Sequence, residues 1–352
     1  MLYYKEDWSR VKEDFKAWWD RELDRPLIQV FAPKEETKTV VWDIWAFVKN
    51  QDNLHLAIKE FENYCRNTFF GSRAYPNLWI NLGPCSIAAY MGAKPRFSAE
   101  TVWYEALSWD EVESLEFNPA NEWWCYTKKV TVDACKSGRG RFIVGFPDIG
   151  AVTDIASSLR GSRNLIVDFY RNPERVKRLC DRLFEIWFKV YGELHELMKA
   201  YGQDGTSSWM GLWCHKRYYP IHADFAYMLS PSKFKELVLP YLKEYCLRLD
   251  YAIYHLDGVG QIPHVDSLLE IDELTGIQWV PGAGQPPPDD PKWLPLYRKI
   301  QKAGKNLQLP HVSPDRIKFI LENLDPKGLT FPTWCKSEKE AKMLLKELNS
   351  YT

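Results

Sequence analysis

Hydrophobic positions along the chain alternate between short continuous runs and longer stretches with helical spacing. The short apolar runs lie near residues 27, 78, 142, 207, 252, 276, 306 and 328, and they predict eight β-strands. The stretches between them predict helices, two of which begin at Asn-Pro (172) and Ser-Pro (230), pairs typical of a helix start. From residue 141 onward, strands and helices alternate regularly, which is typical of a parallel sheet with helices outside.

Eight strands in 352 residues favour a single (β/α)8 TIM barrel that spans residues 1–352. Residues 1–24 carry apolar positions at helical spacing before the first strand, and we expect an N-terminal helical extension there. An open doubly wound sheet is the alternative α/β fold. No glycine-rich phosphate-binding turn follows any of the strands, which favours the barrel.

Charge and composition restrict the classes of partner. The formal net charge of −1 argues against nucleic acid as the main partner, because neutralising phosphates needs a basic excess. No run approaches the roughly 20 apolar residues of a membrane helix, and the charged N-terminus lacks the apolar core of a signal peptide, so we expect a cytoplasmic protein. The eight cysteines are scattered and indicate no disulfide framework. Sixteen Trp and nineteen Tyr suit either a ring-rich core or a pocket for a flat or sugar-like ligand.

Candidate chemistry lies at the carboxyl ends of the strands, where barrel enzymes place their active sites. Asp148 ends the third strand. His255 and Asp257 end the fifth and point to one face, because strand side chains alternate. With Cys335 at the end of the eighth strand, they form a plausible three-ligand site for zinc with an open fourth position. The alternative is a hydrogen-bonded His-Asp pair beside a buried apolar cysteine.

Substrate contacts are expected around the fourth and sixth strands. The fourth run, "TSSWMGLWC", predicts a strand that ends at Trp213 and His215, followed by a loop that contains Tyr219. The sixth places Gln278 near the rim of the barrel. The alternative for the loop is ordinary packing, without contact to a ligand.

Four stretches carry a resemblance to a known family. The segments "GFPDIGAVTDIASSLRGSRNLIVDFYRNPERVKRL", "MLSPSKFKELVLPYLKEY", "YHLDGVGQIPHVDSLLEIDELTGIQWVPG" and "GLTFPTWCKSEKEAKMLLKEL" cover most of residues 141–352. They resemble the uroporphyrinogen decarboxylase superfamily, which includes zinc-dependent, corrinoid-linked methyltransferases and is related to cobalamin-independent methionine synthases. In those methyltransferases, zinc is held by His-x-Cys and a distant Cys. His255 and Cys335 match that pattern, whereas Asp257 replaces the first Cys.

The resemblance implies a zinc-dependent methyltransferase that moves a methyl group between a corrinoid protein, or a methylated small molecule, and a thiol. The corrinoid would be carried by a separate partner protein. Asp148, His255 and Asp257 would be the catalytic side chains. A carboxylate donates less charge than a thiolate, so a metal held by Asp257 would be a stronger Lewis acid and its bound thiolate less nucleophilic.

Three other functions remain open. The first is a metal-independent decarboxylase or lyase acting on a carboxylated pyrrole or other small acid, although the first strand lacks the arginine pair that such polyacids need. The second is a glycoside hydrolase with Asp148 and Asp257 as its carboxylate pair. The third is a non-catalytic carrier of a tetrapyrrole or metal. The oligomeric state is also open, a homodimer being one alternative.

Overall fold

The computed structural model of the protein describes residues 1–34, 40–348 and 351. Its strands are β1 Leu27–Pro33, β2 Thr68–Ser72, β3 Asn77–Trp79, β4 Pro95–Phe97, β5 Val102–Tyr104, β6 Ile143–Gly145, β7 Tyr218–His222, β8 Tyr251–Asp257, β9 Gly276–Val280, β10 Asn306–Gln308 and β11 Leu329–Trp334. Seven of the eight strands expected from the sequence are present among the described residues, and β2, β4, β5 and β7 are additional.

The helices follow the strands in the expected alternation. They are α1 Trp8–Trp19, α2 Ala46–Lys49, α3 Leu54–Asn67, α4 Ser86–Tyr90, α5 Trp109–Ser114, α6 Glu122–Gly138, α7 Val152–Arg160, α8 Ser162–Arg171, α9 Pro173–Ala200, α10 Pro231–Leu237, α11 Leu239–Arg248, α12 Val265–Leu269, α13 Leu294–Lys302, α14 Ile317–Asn323 and α15 Glu338–Glu347. Within the described residues, every helix is too short or too polar to cross a lipid bilayer.

The sheet order agrees with the predicted α/β class and in part with a closed barrel. The main sheet runs β2-β1-β11-β10-β9-β8-β7, and its pairs are parallel except for β2 on β1. The first and last of the predicted strands, β1 and β11, are therefore parallel neighbours, as a (β/α)8 barrel requires. β3 and β6 form a separate parallel pair, and β4 and β5 a small antiparallel hairpin. Among the described residues, no continuous ladder of hydrogen bonds joins the pair β3-β6 to the main sheet.

The fourth predicted strand was wrong in position. Residues 206–214 fold back on themselves, and Thr206 and Cys214 exchange backbone hydrogen bonds of 2.7 and 2.8 Å. Gly211 has φ +67°, a left-handed conformation that a continuous extended strand does not contain. The strand of this position in the fold is instead β7, which begins at Tyr218. Residues 206–214, called here the inner loop, lie beside the end of β6, where the amide of the next residue, Phe146, donates to the Ser207 carbonyl (2.8 Å).

The predicted N-terminal helical extension contains α1, which packs across the beginnings of β7 and β8. The Trp19 ring lies 4.6 Å from the ring of Tyr218 and 5.1 Å from that of Tyr251, the first residues of the two strands. Its indole N–H donates to the Trp213 carbonyl (2.8 Å). Because α1 covers the amino ends of these strands, their opposite ends are left for a functional site.

Candidate functional site

Two adjacent strands end in the same sequence pattern, His-x-Asp. β7 ends with His222 and is followed by Asp224, and β8 ends with His255 and Asp257. The strands are parallel, and His222 is the register partner of His255. Equivalent side chains therefore leave the sheet at the same height, and both histidines and both aspartates gather at one edge.

His222 is buried between two carboxylates. Its Nδ1 lies 2.6 Å from Asp154 Oδ2 and its Nε2 lies 3.6 Å from Asp148 Oδ1. Burial alone would lower the pKa of His222, but Asp148 and Asp154 raise that pKa well above its ordinary value. Burial likewise opposes ionisation of Asp148, yet His222 brings the pKa of this carboxyl below its usual range. The three groups form a buried cation held by two anions.

Asp154, near the start of α7, also fixes the backbone that follows β7. Its carboxylate accepts hydrogen bonds from the amides of Asp224 (3.0 Å) and Phe225 (2.8 Å). With the contact to His222, every one of these bonds engages a donor at the end of β7. Asp154 thus positions Asp224 at the edge without being free to bind a ligand itself.

His255 has a different environment from His222. It is half-buried, and its Nδ1 lies 2.6 Å from the side-chain oxygen of Gln278. The ring of Trp209 meets it edge-on, with ring centres 4.8 Å apart. Among the described residues, His255 Nε2 has no hydrogen-bond partner, and His255 borders two cavities. The exposed nitrogen is therefore available to a metal or substrate.

Asp224, His255 and Asp257 make the best candidate metal site of the described residues. Each offers one ligand atom, and these atoms lie within 4.8 Å of one another. Asp154, His222 and Asp224 are equally close. In that group, however, the Asp154 carboxylate already accepts hydrogen bonds from His222 and from the Asp224 amide. Surrounding protein atoms, and then the charge of Asp154, raise the pKa of Asp224 to about 6. A cation at this carboxylate would offset that repulsion.

The predicted ligand Cys335 does not join this site. Pro332 and Trp334 line the larger cavity, and the Cys335 amide continues the pairing of β11 by donating to the Phe31 carbonyl (2.8 Å). Because side chains alternate along a strand, Cys335 belongs to the opposite face, beneath the helices. Burial, with the Glu340 carboxylate of α15, raises the pKa of its thiol to about 11. Of the described residues, neither close metal-competent group includes Cys335, so the set His255, Asp257 and Cys335 is not assembled.

Three of the four predicted substrate contacts lie elsewhere, because the fourth strand begins later than expected. Trp213 is buried against α1, its ring 5.5 Å from that of Trp8. His215 precedes β7 and so lies at the amino end of the strand, away from the site. The Tyr219 hydroxyl is buried, donating to the Pro147 carbonyl (3.2 Å) and accepting from the Ile149 amide (2.8 Å). Gln278 does line the larger cavity, and Asp148 lines the smaller one.

Two adjoining cavities open at this edge. The larger, about 720 Å³, has mostly apolar walls, and the smaller, about 190 Å³, is acidic. Trp79, Trp209 and His255 border both. The aromatic and amide residues of the larger cavity are Gln29, Phe31, Trp42, Phe61, Tyr64, Phe70, Tyr75, Asn77, Trp79, Trp209, Gln278, Gln308 and Trp334. The shape suits a molecule with an apolar body and a polar reacting group near His255.

Several of these residues were missed by the sequence analysis. The repetition of His-x-Asp at 222 and 255 is a signal that would have identified His222 and Asp224. Trp79 and Trp209 were part of the unusual tryptophan content but could not be separated from core residues. Gln29 and Gln308 carry no sequence signal, because an isolated glutamine in an apolar strand has no characteristic spacing.

Comparisons with known proteins identify a structure with the same fold. No family model matches the chain, and no curated protein does. Among solved structures, a methyltransferase from Methanosarcina mazei is similar over 97% of this chain and 98% of that chain, with a TM-score of 0.60 and 10% identity. A B12-independent methionine synthase from Shewanella sp. W3-18-1, in complex with selenomethionine, covers 76% of this chain and 80% of its own, with a TM-score of 0.43 and 12% identity. The chain therefore shares the fold of the first protein over nearly its full length, and the second is too distant to add to that.

Proposed function

We propose that the protein is a metal-dependent methyltransferase whose metal is bound by Asp224, His255 and Asp257. The observation that carries this proposal is the convergence of their three ligand atoms within 4.8 Å at the carboxyl ends of β7 and β8. Support for methyl transfer comes from the fold shared with the M. mazei methyltransferase and from the sequence resemblance. The substrate would be a methylated small molecule or a corrinoid protein, and the acceptor a thiol.

The donor set favours a metal that accepts oxygen and nitrogen ligands. Two carboxylates and one imidazole suit Zn²⁺ and also Mn²⁺ or Fe²⁺, whereas the thiolate inferred from the family pattern is absent from the set. When bound, such a metal supplies Lewis acidity, which lowers the pKa of an acceptor thiol. The smaller cavity, which Asp224 and His255 border, leaves room for that acceptor thiol beside the metal site.

The protein's own residues would bind and orient the reactants. The apolar walls of the larger cavity would hold the body of the small molecule and exclude water from the transfer. Asp148 keeps its negative charge beside His222 and can accept a hydrogen bond from the acceptor at the wall of the smaller cavity. At the rim, Phe31 and Trp334 are stacked with ring centres 4.5 Å apart, and the half-exposed Trp334 offers a flat surface to a corrinoid on a partner protein.

The alternative decarboxylase function has less support from these cavities. Among the described residues that line them there is no arginine and no lysine. A substrate with several carboxylates needs such cationic partners, and Asp148 and Asp224 would instead repel it.

Metal titration tests the proposal. The purified protein would be stripped with a chelator and titrated with Zn²⁺ in a calorimeter. We expect one equivalent to bind, and His255→Ala or Asp257→Asn to weaken binding at least about 100-fold, because each removes a ligand atom. Cys335→Ser is the matched control and should bind zinc like the unchanged protein. A loss of binding in Cys335→Ser, or no binding by the unchanged protein, would contradict the proposed site.

Activity is measured on the same set of variants. Demethylation of methylcobalamin in the presence of a panel of thiols would be followed by its absorbance. The metal-loaded protein and Cys335→Ser should be active, and His255→Ala should be inactive. Turnover that persists in the chelator-treated protein would exclude a metal-dependent transfer.

A further inference from the structure

We propose that Gln278 and Gln308 form a relay that fixes His255 as the tautomer with its proton on Nδ1, so that Nε2 presents a lone pair to the cavity. This inference deepens the proposed function, on which it rests for the identity of what Nε2 binds. The relay begins at a backbone carbonyl of the inner loop and ends at the imidazole ring.

The direction of the relay is set by the Met210 carbonyl, which can only accept a hydrogen bond. Gln308 has its amide nitrogen 2.9 Å from this oxygen. If the Gln308 amide were turned over, two acceptor oxygens would face each other. The Gln308 nitrogen must therefore face the carbonyl, and its oxygen must face the opposite way.

The same argument passes through Gln278 to the histidine. The Gln308 oxygen lies 3.2 Å from the amide nitrogen of Gln278, which donates to it. The Gln278 oxygen is then left facing His255 Nδ1, at 2.6 Å. An oxygen acceptor at that distance requires a proton on Nδ1. In the neutral ring, Nε2 is consequently unprotonated.

The sheet holds the three side chains in line. His255 is the register partner of Gln278 in the pair β8-β9, and Gln278 is the register partner of Gln308 in the pair β9-β10. All three side chains thus leave the same face of three neighbouring parallel strands. Gln278 is only 4% exposed and Gln308 only 1%, so little water can compete for their amides.

The partner of His255 Nδ1 is a neutral amide, which can select the tautomer of the ring without favouring its charged form. A carboxylate at this place would also select Nδ1–H, but it would favour the imidazolium form, as Asp154 does for His222. Gln278 orients the ring without adding a negative charge. Gln278 and Gln308 are therefore positioning residues that prepare His255 to act as a ligand through Nε2.

The test is the nitrogen spectrum of His255 in the metal-free protein at a pH where the ring is neutral. Uniform ¹⁵N labelling distinguishes a protonated from an unprotonated ring nitrogen, and the spectrum of His255→Asn assigns the signals. We expect a protonated Nδ1 and a bare Nε2. Gln278→Leu should lose this preference, Gln278→Glu should restore it because a carboxylate also accepts, and Gln308→Leu should weaken it.

Gln29→Leu is the matched control. Gln29 lines the same cavity and donates to the Gly211 carbonyl of the inner loop (3.0 Å), but it has no hydrogen bond to His255. Its variant should leave the tautomer unchanged. In a zinc titration, Gln278→Leu should bind about 10- to 100-fold more weakly than the unchanged protein.

A protonated Nε2 in the unchanged protein would overturn the relay, and this measurement needs no variant to fold. An unaltered tautomer in folded Gln278→Leu would overturn it as well. Because the spectrum is recorded without metal, its result is separate from the proposed function. If the spectrum shows the expected tautomer but the protein does not bind zinc, the metal site is rejected and the relay stands. If the protein binds zinc but Nε2 carries the proton, only the relay is rejected.

Discussion

The ends of β7 and β8 carry the same His-x-Asp pattern in register, yet the two histidines have different physical states. His222 is 3% exposed and is held as a cation between Asp148 and Asp154. His255 is half-buried, contacts only the neutral amide of Gln278 through Nδ1, and keeps Nε2 open to the cavity. The difference comes from neighbouring elements, because α7 brings a carboxylate to one ring and β9 brings an amide to the other.

His222 therefore supports the structure of the site, whereas His255 is placed to take part in its chemistry. A histidine with a carboxylate near each ring nitrogen stabilises the local structure through its charge. A histidine with one neutral partner is oriented but still reactive. We expect substitutions at His222 and Asp154 to affect mainly folding stability, and substitutions at His255 and Asp257 to affect mainly metal binding.

The largest effect on stability should come from Asp154→Asn. The variant removes one of two anions from the buried His222 cation while keeping the shape of the side chain. Breaking a buried ion pair by neutralising one partner costs about 3 kcal/mol, which should appear as a lower free energy of unfolding in urea.

Asp257→Asn is the control on the β8 side. Asp257 is partly exposed, and among the described residues it accepts no hydrogen bond that an amide would lose. Its variant should change the free energy of unfolding by less than about 0.5 kcal/mol. Similar losses in Asp154→Asn and Asp257→Asn would show that the two strand ends do not differ as described.

A smaller effect is expected from pH, through His222. Its folded-state pKa is raised, so its contribution to stability is complete below the unfolded pKa of about 6.5 and is lost as pH rises through the folded pKa. The advantage of the unchanged protein over His222→Gln should therefore be greatest near pH 6 and shrink toward alkaline pH. Urea unfolding across this range measures it, and an advantage that grows with pH would contradict the buried cation.

How much the sequence could reveal also differs between elements. Seven strands and the N-terminal helix were predictable because apolar runs and helical spacing are local properties. The inner loop was misread because "TSSWMGLWC" has the composition of a strand, and only the left-handed Gly211 and the return of the chain at Cys214 show otherwise. That error moved Trp213, His215 and Tyr219 to the wrong end of β7.

The site itself was predictable only in part. His255, Asp257 and Asp148 could be proposed from the sequence because strand ends and residue types are visible in it. Cys335 was included from its place at a strand end and from the family pattern, and the structure places it outside the close group of ligand atoms, because alternation along β11 turns it toward the helices. The contacts of Gln278 with Gln308, and of Asp154 with His222, join distant segments and depend on register that a single sequence does not contain.

The smallest effect concerns Asp224, the residue that stands between the two histidines. Its pKa of about 6 means that the folded protein retains this proton at pH values where the unfolded chain, ionising near about 4, has lost it. The folded state then binds more protons between these values, so this carboxyl lowers stability as pH rises through them. Asp224→Asn should consequently gain stability relative to the unchanged protein between about pH 4 and 7.

Because Asp224 is half-exposed, solvent screening should keep that gain below about 1 kcal/mol. The measurement is urea unfolding of the unchanged protein and Asp224→Asn, both metal-free, at about pH 4 and about pH 7. Asp257→Asn is the control for a neutralised carboxylate at the same edge. A gain that is larger at the acidic pH would contradict the raised pKa. We expect Asp224→Asn to be more stable at neutral pH and also to bind zinc more weakly. That pair of results would mean that the protein keeps a destabilising carboxylate here because a bound cation offsets its repulsion. A binding site differs in this way from a structural ion pair.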